Sequence, residues 1–131
     1  MAAEELRPIE PVADTPDQLD LLRGQVDGLD EQIVALVSER TALTLAIGAE
    51  KERRGITTMV PGRHTEVIGR YMGAVPEDSP MVPGDAVELG ETVMRISRRA
   101  QDVQRGAAAL AAEQTRSELA GLAEQAVPPT N

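Results

Sequence analysis

Between Pro16 and Arg53 the chain reads PDQLDLLRGQVDGLDEQIVALVSERTALTLAIGAEKER, with apolar residues at Leu19, Leu22, Val26, Leu29, Ile33, Leu36, Leu43 and Ile47. Steps alternating between three and four residues trace one stripe along a helix that packs against other helices. Arg40 stands where the next apolar residue of that series belongs, and Lys51 follows eleven residues later on nearly the same face. Pro16, with Asp17 and Asp20, supplies a helix start, and Gly55 supplies a stop. After the connection ITTMVPG, a short helix is predicted over about 63–72, with Val67, Ile68, Tyr71 and Met72 inward. The loop AVPEDSPMVPG follows, and a third helix is predicted from about Asp85. Its stripe is Val87, Gly90, Met94, Ser97 and Gln101, flanked by Val93, Ile96 and Ala100. Two polar residues again take late places on an inward stripe.

The pattern therefore predicts an all-α chain of three helices with a long first helix. Residues 1–15 are expected to form a flexible arm, 16–104 a helical domain, and 105–131 a weakly ordered or helical tail rich in Ala, Gln and Glu. A first helix of this length spans roughly 55 Å at 1.5 Å per residue, more than the width of a domain this small. Its stripe continues along most of that length, so a second copy of the chain is the expected cover, as a homodimer.

Composition narrows the chemistry. The 131 residues contain no Cys, Phe or Trp, one Tyr and one His. The core must rest on aliphatic side chains, which suits packed helices better than a sheet. Thiolate and multi-histidine metal sites are excluded, and no cofactor is expected. A net charge of −9 argues against nucleic acid and anionic membranes as partners. No run of 18 apolar residues is present, so no membrane span is expected. The acidic, proline-containing N-terminus does not read as a secretory signal, and a soluble cytoplasmic protein is expected.

Against that acidic background the inward cations stand out. At 100° per residue Arg40 and Lys51 differ by only about 20°, whereas Arg23 points about 100° away from Arg40. The first two can serve one pocket, and Arg23 a pocket in a neighbouring chain. Arg63 begins the short helix on its inner side, while Ser97 and Gln101 share a face of the third. Taken singly, each residue reads as a solvated or rim side chain. Together they form a set of donors with no matching set of carboxylates, and buried cations without partners are costly. A bound anion resolves this, and arginine forks suit carboxylates, so a small dicarboxylate substrate is expected.

On these residues the sequence resembles the all-helical (AroQ-type) chorismate mutases. The resemblance covers about residues 18–101, from LLRGQVDGLDEQIVALVSERTALTLAIGAEK through PGR at 61–63 to SRRAQ at 97–101. It implies the type II fold, an intertwined homodimer, and a 3,3-sigmatropic rearrangement of chorismate to prephenate without metal or cofactor. Carried over by position, it implies that Arg40 holds a substrate carboxylate and that Arg23 reaches one in the other protomer's site. Lys51 and Gln101 would donate to the ether oxygen of the breaking bond, Ser97 would assist a carboxylate, and Arg63 would line the pocket near the ring. A regulating partner enzyme is compatible with such a dimer.

Two positions depart from that pattern. Many members carry an aspartate three residues before the pocket arginine and a glutamate directly after it, the latter contacting the substrate's C4 hydroxyl. Here Val60 and His64 stand there. An M-x-P-G-R stretch without the following glutamate resembles 4-amino-4-deoxychorismate mutases of aminophenylalanine-type antibiotic pathways. The leading expectation is therefore the 4-amino substrate, with chorismate, in Phe and Tyr biosynthesis, as the alternative. An isochorismate-pyruvate lyase and a non-catalytic helical dimerisation or regulatory module are the further alternatives.

Overall fold

A computed structural model describes residues 17–56 and 61–126. The expected arm at 1–15, the end VPPTN and the candidate pocket residue Val60 lie outside the described residues. Three helices follow one another: α1, Gln18–Arg53; α2, Arg63–Gly73; and α3, Pro83–Ala126. The all-α class, three helices and a long first helix are those read from the sequence, whereas α3 is longer than expected because it takes in most of the tail.

Local chemistry accounts for the helix ends. Asp17 caps α1, its Oδ1 accepting the Asp20 amide at 2.8 Å. At the other end Gly55 takes φ of 72°, so that Ile56 N–H reaches back to the Lys51 carbonyl at 2.8 Å and Gly55 N–H to that of Glu52 at 3.1 Å. This reversed pair is the Schellman arrangement, and the left-handed φ is why the residue is glycine. Gly62, with φ of 83°, is the N-cap of α2, and its carbonyl accepts the first helical bond from Glu66 N–H at 2.9 Å. Pro83 occupies the first turn of α3, where its missing N–H costs nothing. Asp85 returns a carboxylate oxygen to the Val82 amide at 3.1 Å.

The chain divides after Leu36 into two units. The first contains the N-terminal half of α1. The second contains the remainder of α1 with α2 and α3, and its core is small: Val67 of α2 and Ala86, Gly90, Val93 and Ser97 of α3 are buried. The buried face of α3 thus runs one residue earlier than the expected Val87 and Met94, because small side chains at 86 and 90 let α2 come close. A Cβ on Gly90 would lie 3.1 Å from Ile68 Cδ1 and 3.2 Å from Tyr71 Cγ. Met72, expected inward, is 43 % exposed. Beyond Gln101, α3 stays helical to Ala126 on a sequence rich in alanine, the strongest helix former.

No residue of α1 is buried, and Leu36 and Leu43 are 63 % and 62 % exposed. The expectation that nothing could cross a membrane needs one correction, since an 18-residue window of α1 is long and apolar enough by length and composition. The helix nonetheless carries Glu39 and Arg40, and its apolar residues form a stripe. That is the pattern of helix-on-helix packing, not of a surface apolar all round.

Candidate active site

Within the second unit, the last turns of α1, the start of α2 and the middle of α3 enclose a cavity of about 310 Å³. Its α1 wall carries Arg40, Thr44, Ile47 and Lys51, its α2 wall Arg63, His64 and Val67, and its α3 wall Met94, Ser97, Arg98, Gln101, Asp102 and Arg105. Periodicity explains the first wall, since 40, 44, 47 and 51 form one i, i+4, i+7, i+11 face.

Arg40 is anchored rather than loose. Its Nη1 donates to Ser97 Oγ at 3.0 Å, and Ser97 is 5 % exposed. Nearby, Gln101 Nε2 donates to the Thr44 carbonyl at 2.9 Å. A primary amide carries two N–H groups, so one is left to face the cavity. Gln101 passes over Gly48 at ordinary contact distance, since a Cβ there would lie 3.6 Å from its Nε2. Lys51 is half-buried on the cavity wall and, among the described residues, has no carboxylate partner. Its neighbour Glu50 faces the other way, taking Arg53 at 2.6 Å and Arg54 at 2.9 Å. Those two guanidiniums, Arg53 foremost, hold the Glu50 carboxyl below its ordinary range.

On α2, Arg63 is held by Glu66 at 3.0 Å within its own helix. His64 reaches across to α3 instead, its Nε2 lying 3.0 Å from Glu91 Oε1. A carboxylate therefore does stand at this end of the site, though it comes from α3 and meets the cavity through an imidazole. No group of His, Asp and Glu among the described residues has the arrangement of a metal site.

Six of the residues singled out by sequence thus surround one cavity: Arg40, Lys51, Arg63, His64, Ser97 and Gln101. Arg23 lies on the exposed N-terminal half of α1, in the other unit, and Val60 is outside the described residues. Sequence reasoning missed Thr44, Arg98, Asp102 and Arg105. A signal was present, because 98, 102 and 105 sit at i−3, i+1 and i+4 from Gln101, but charged residues there read as a solvated face.

The cavity combines fixed cations, a free ammonium and neutral donors, which suits a small polyanion whose reaction builds negative charge on an oxygen. Comparison with known proteins bears on which one. The model of the family described as chorismate mutase type II matches residues 22–102. The intracellular chorismate mutase of Mycobacterium tuberculosis (strain ATCC 25618 / H37Rv) is 35 % identical over 81 residues, 62 % of this chain and 70 % of that protein. The protein of the same name from Mycolicibacterium smegmatis is 36 % identical over 62 residues, 47 % of this chain and 60 % of that protein. No solved structure gives a significant match.

Proposed function

The chain belongs to the chorismate mutase type II family, and from that premise we propose that it converts chorismate to prephenate in the cavity between α1, α2 and α3. It is an enzyme, an intramolecular isomerase, which sets aside the reading as a non-catalytic helical module. The observation that carries the reading is the convergence of Arg40, Lys51 and Gln101 on one cavity in a chain of this family.

In the rearrangement the ether C–O bond breaks as a new C–C bond forms, with no covalent intermediate on the protein. Two effects lower its barrier. Fixing the two carboxylates folds the enolpyruvyl arm over the ring, so the reacting carbons meet without further loss of entropy. Arg40, held by Ser97, serves one carboxylate, and Arg23 of a second copy serves the other. Negative charge then grows on the ether oxygen, where the Lys51 ammonium and the free N–H of Gln101 donate. Arg63 and His64 close the α2 side.

The exposed stripe of α1 supports a homodimer. Leu22, Val26, Leu29, Ile33, Leu36, Leu43 and Ile47 lie along it, each about half exposed or more. Covering the remaining half of such a side chain is worth about 1 kcal/mol, and a second copy presents the same stripe. The relatives are named intracellular chorismate mutases, and an intracellular place is proposed for this chain.

The 4-amino-4-deoxychorismate substrate expected from His64 is the second reading. The comparisons back chorismate over it, because relatives 35 % and 36 % identical are named chorismate mutases. What favours the amine is that no carboxylate directly follows Arg63; what favours the hydroxyl is that Glu91 supplies one through His64. Loss of the substrate's ultraviolet band, followed side by side for the two compounds, decides. A higher kcat/KM for chorismate is expected, and a wide margin for the amine would reverse the assignment. Turnover of neither at micromolar enzyme would overturn the function.

A further inference from the structure

The cavity holds more positive charge than two carboxylates and one developing oxyanion require. Its lining includes five cations, Arg40, Lys51, Arg63, Arg98 and Arg105, against one carboxylate, Asp102. Two are paired with carboxylates, Arg63 with Glu66 and Arg105 with Asp102 one turn before it, and Arg40, held by Ser97, has its assigned place at a substrate carboxylate. Lys51 has its assigned place at the ether oxygen. Arg98 is left, with no carboxylate partner among the described residues. It directly follows the serine that anchors Arg40 and stands one turn before Gln101.

We propose that Arg98 is a substrate-binding residue that takes a carboxylate from the α3 side, with the Asp102–Arg105 pair holding the rim beside it. The inference rests on the mutase reading and extends it. In a chain of net charge −9 a dianion is repelled by most of the surface, so an exposed arginine at the mouth sets where it enters. Pairing with Arg105 keeps Asp102, the one lining carboxylate among the described residues, from opposing that entry. Arg40 and Arg23 already set the fold of the substrate through its carboxylates, so an added contact from the exposed rim strengthens binding equally in the ground and transition states. It acts on KM and leaves kcat alone. Being at an exposed rim, it acts through association and weakens with salt.

The test compares Arg98→Gln, Arg98→Lys and Arg99→Gln in the full chain, the last being an exposed arginine next in sequence that does not line the cavity. Arg98→Gln is expected to raise KM for chorismate roughly five- to tenfold with kcat within about twofold, and to flatten the fall of kcat/KM with salt. Arg98→Lys should recover part of the loss, since it keeps charge without the fork. Arg99→Gln should match the wild type. Equal KM and salt slopes for the two Gln variants would overturn the proposal, as would a loss confined to kcat. Calorimetric titration with chorismate separates this from failure of the mutase reading. A wild type that binds without turnover refutes the reaction, while the ratio of affinities between the Gln variants still judges Arg98. A wild type that does not bind refutes both.

Discussion

Lys51 and Arg40 sit on the same wall but do different work, and substitution should separate them. Lys51 is a donor with no side-chain partner among the described residues, so its interaction is strongest when the ether oxygen carries charge. Lys51→Ala is expected to lower kcat by about a hundred- to a thousandfold with a smaller change in KM, measured by loss of chorismate absorbance. An effect confined to KM would contradict the role. Ser97→Ala should instead act through Arg40, whose Nη1 loses its 3.0 Å acceptor. KM should rise a few fold while kcat holds, the pattern of weakened uniform binding. Arg40 and Lys51 were legible in the sequence because helical phase is local: eleven residues return to the same face. Glu91 was not legible as the partner of His64, because the two are 27 residues apart and meet only when α2 folds onto α3. Arg98 escaped for a different reason: an arginine next to a buried serine looks like any solvated charge until the cavity is seen.

At the scale of elements, two helix-interior glycines give opposite expectations from one substitution. Replacing glycine by alanine in a helix gains about 0.5–1 kcal/mol in propensity. At Gly48 the new Cβ meets Gln101 Nε2 at 3.6 Å and Gln104 Oε1 at 3.7 Å, ordinary contact, so Gly48→Ala should raise the melting temperature. At Gly90 the same methyl meets Ile68 Cδ1 at 3.1 Å and the ring root Tyr71 Cγ at 3.2 Å. The isoleucine tip can swing away, but the tyrosine cannot without moving α2. Gly90→Ala is expected to cost about 1–3 kcal/mol in spite of its propensity gain, read as a lower melting temperature. Equal shifts at the two sites would refute the packing of α2 on α3. The ends of α1 were legible because Asp17 and Gly55 act on their own neighbours, whereas Pro83, read as part of the loop, opens α3 ahead of the expected start at Asp85. On α3 Gly90 and Ser97 were read as inward and are buried, but Val87 and Met94 were each one residue late, because neighbouring apolar positions, Ala86 and Val87 or Val93 and Met94, compete. What chooses between them is the close approach of α2, which the sequence of α3 does not contain.

For the molecule as a whole, the assignment of Arg23 depends on a second chain, and that dependence can be measured without a structure of the pair. The exposed stripe of α1 predicts a dimer by sedimentation, and Leu29→Glu, which puts a charge on the stripe, should shift it toward monomer with loss of activity. A more searching test mixes two inactive proteins. Arg23→Ala leaves the rest of its own cavity intact, and Arg40→Ala leaves Arg23 intact. If Arg23 serves the neighbour, a mixed dimer contains one complete site, built from Arg40 of one copy and Arg23 of the other, and one site lacking both. Random exchange makes about half of the dimers mixed, so about a quarter of wild-type activity should return. If Arg23 acts within its own chain, or has only a structural part, each copy stays defective and mixing restores nothing. Partial unfolding of a variant would lower the yield of mixed dimers but could not create activity. Recovery therefore establishes the shared site, and its absence, with mixed dimers shown by differential tagging, refutes it.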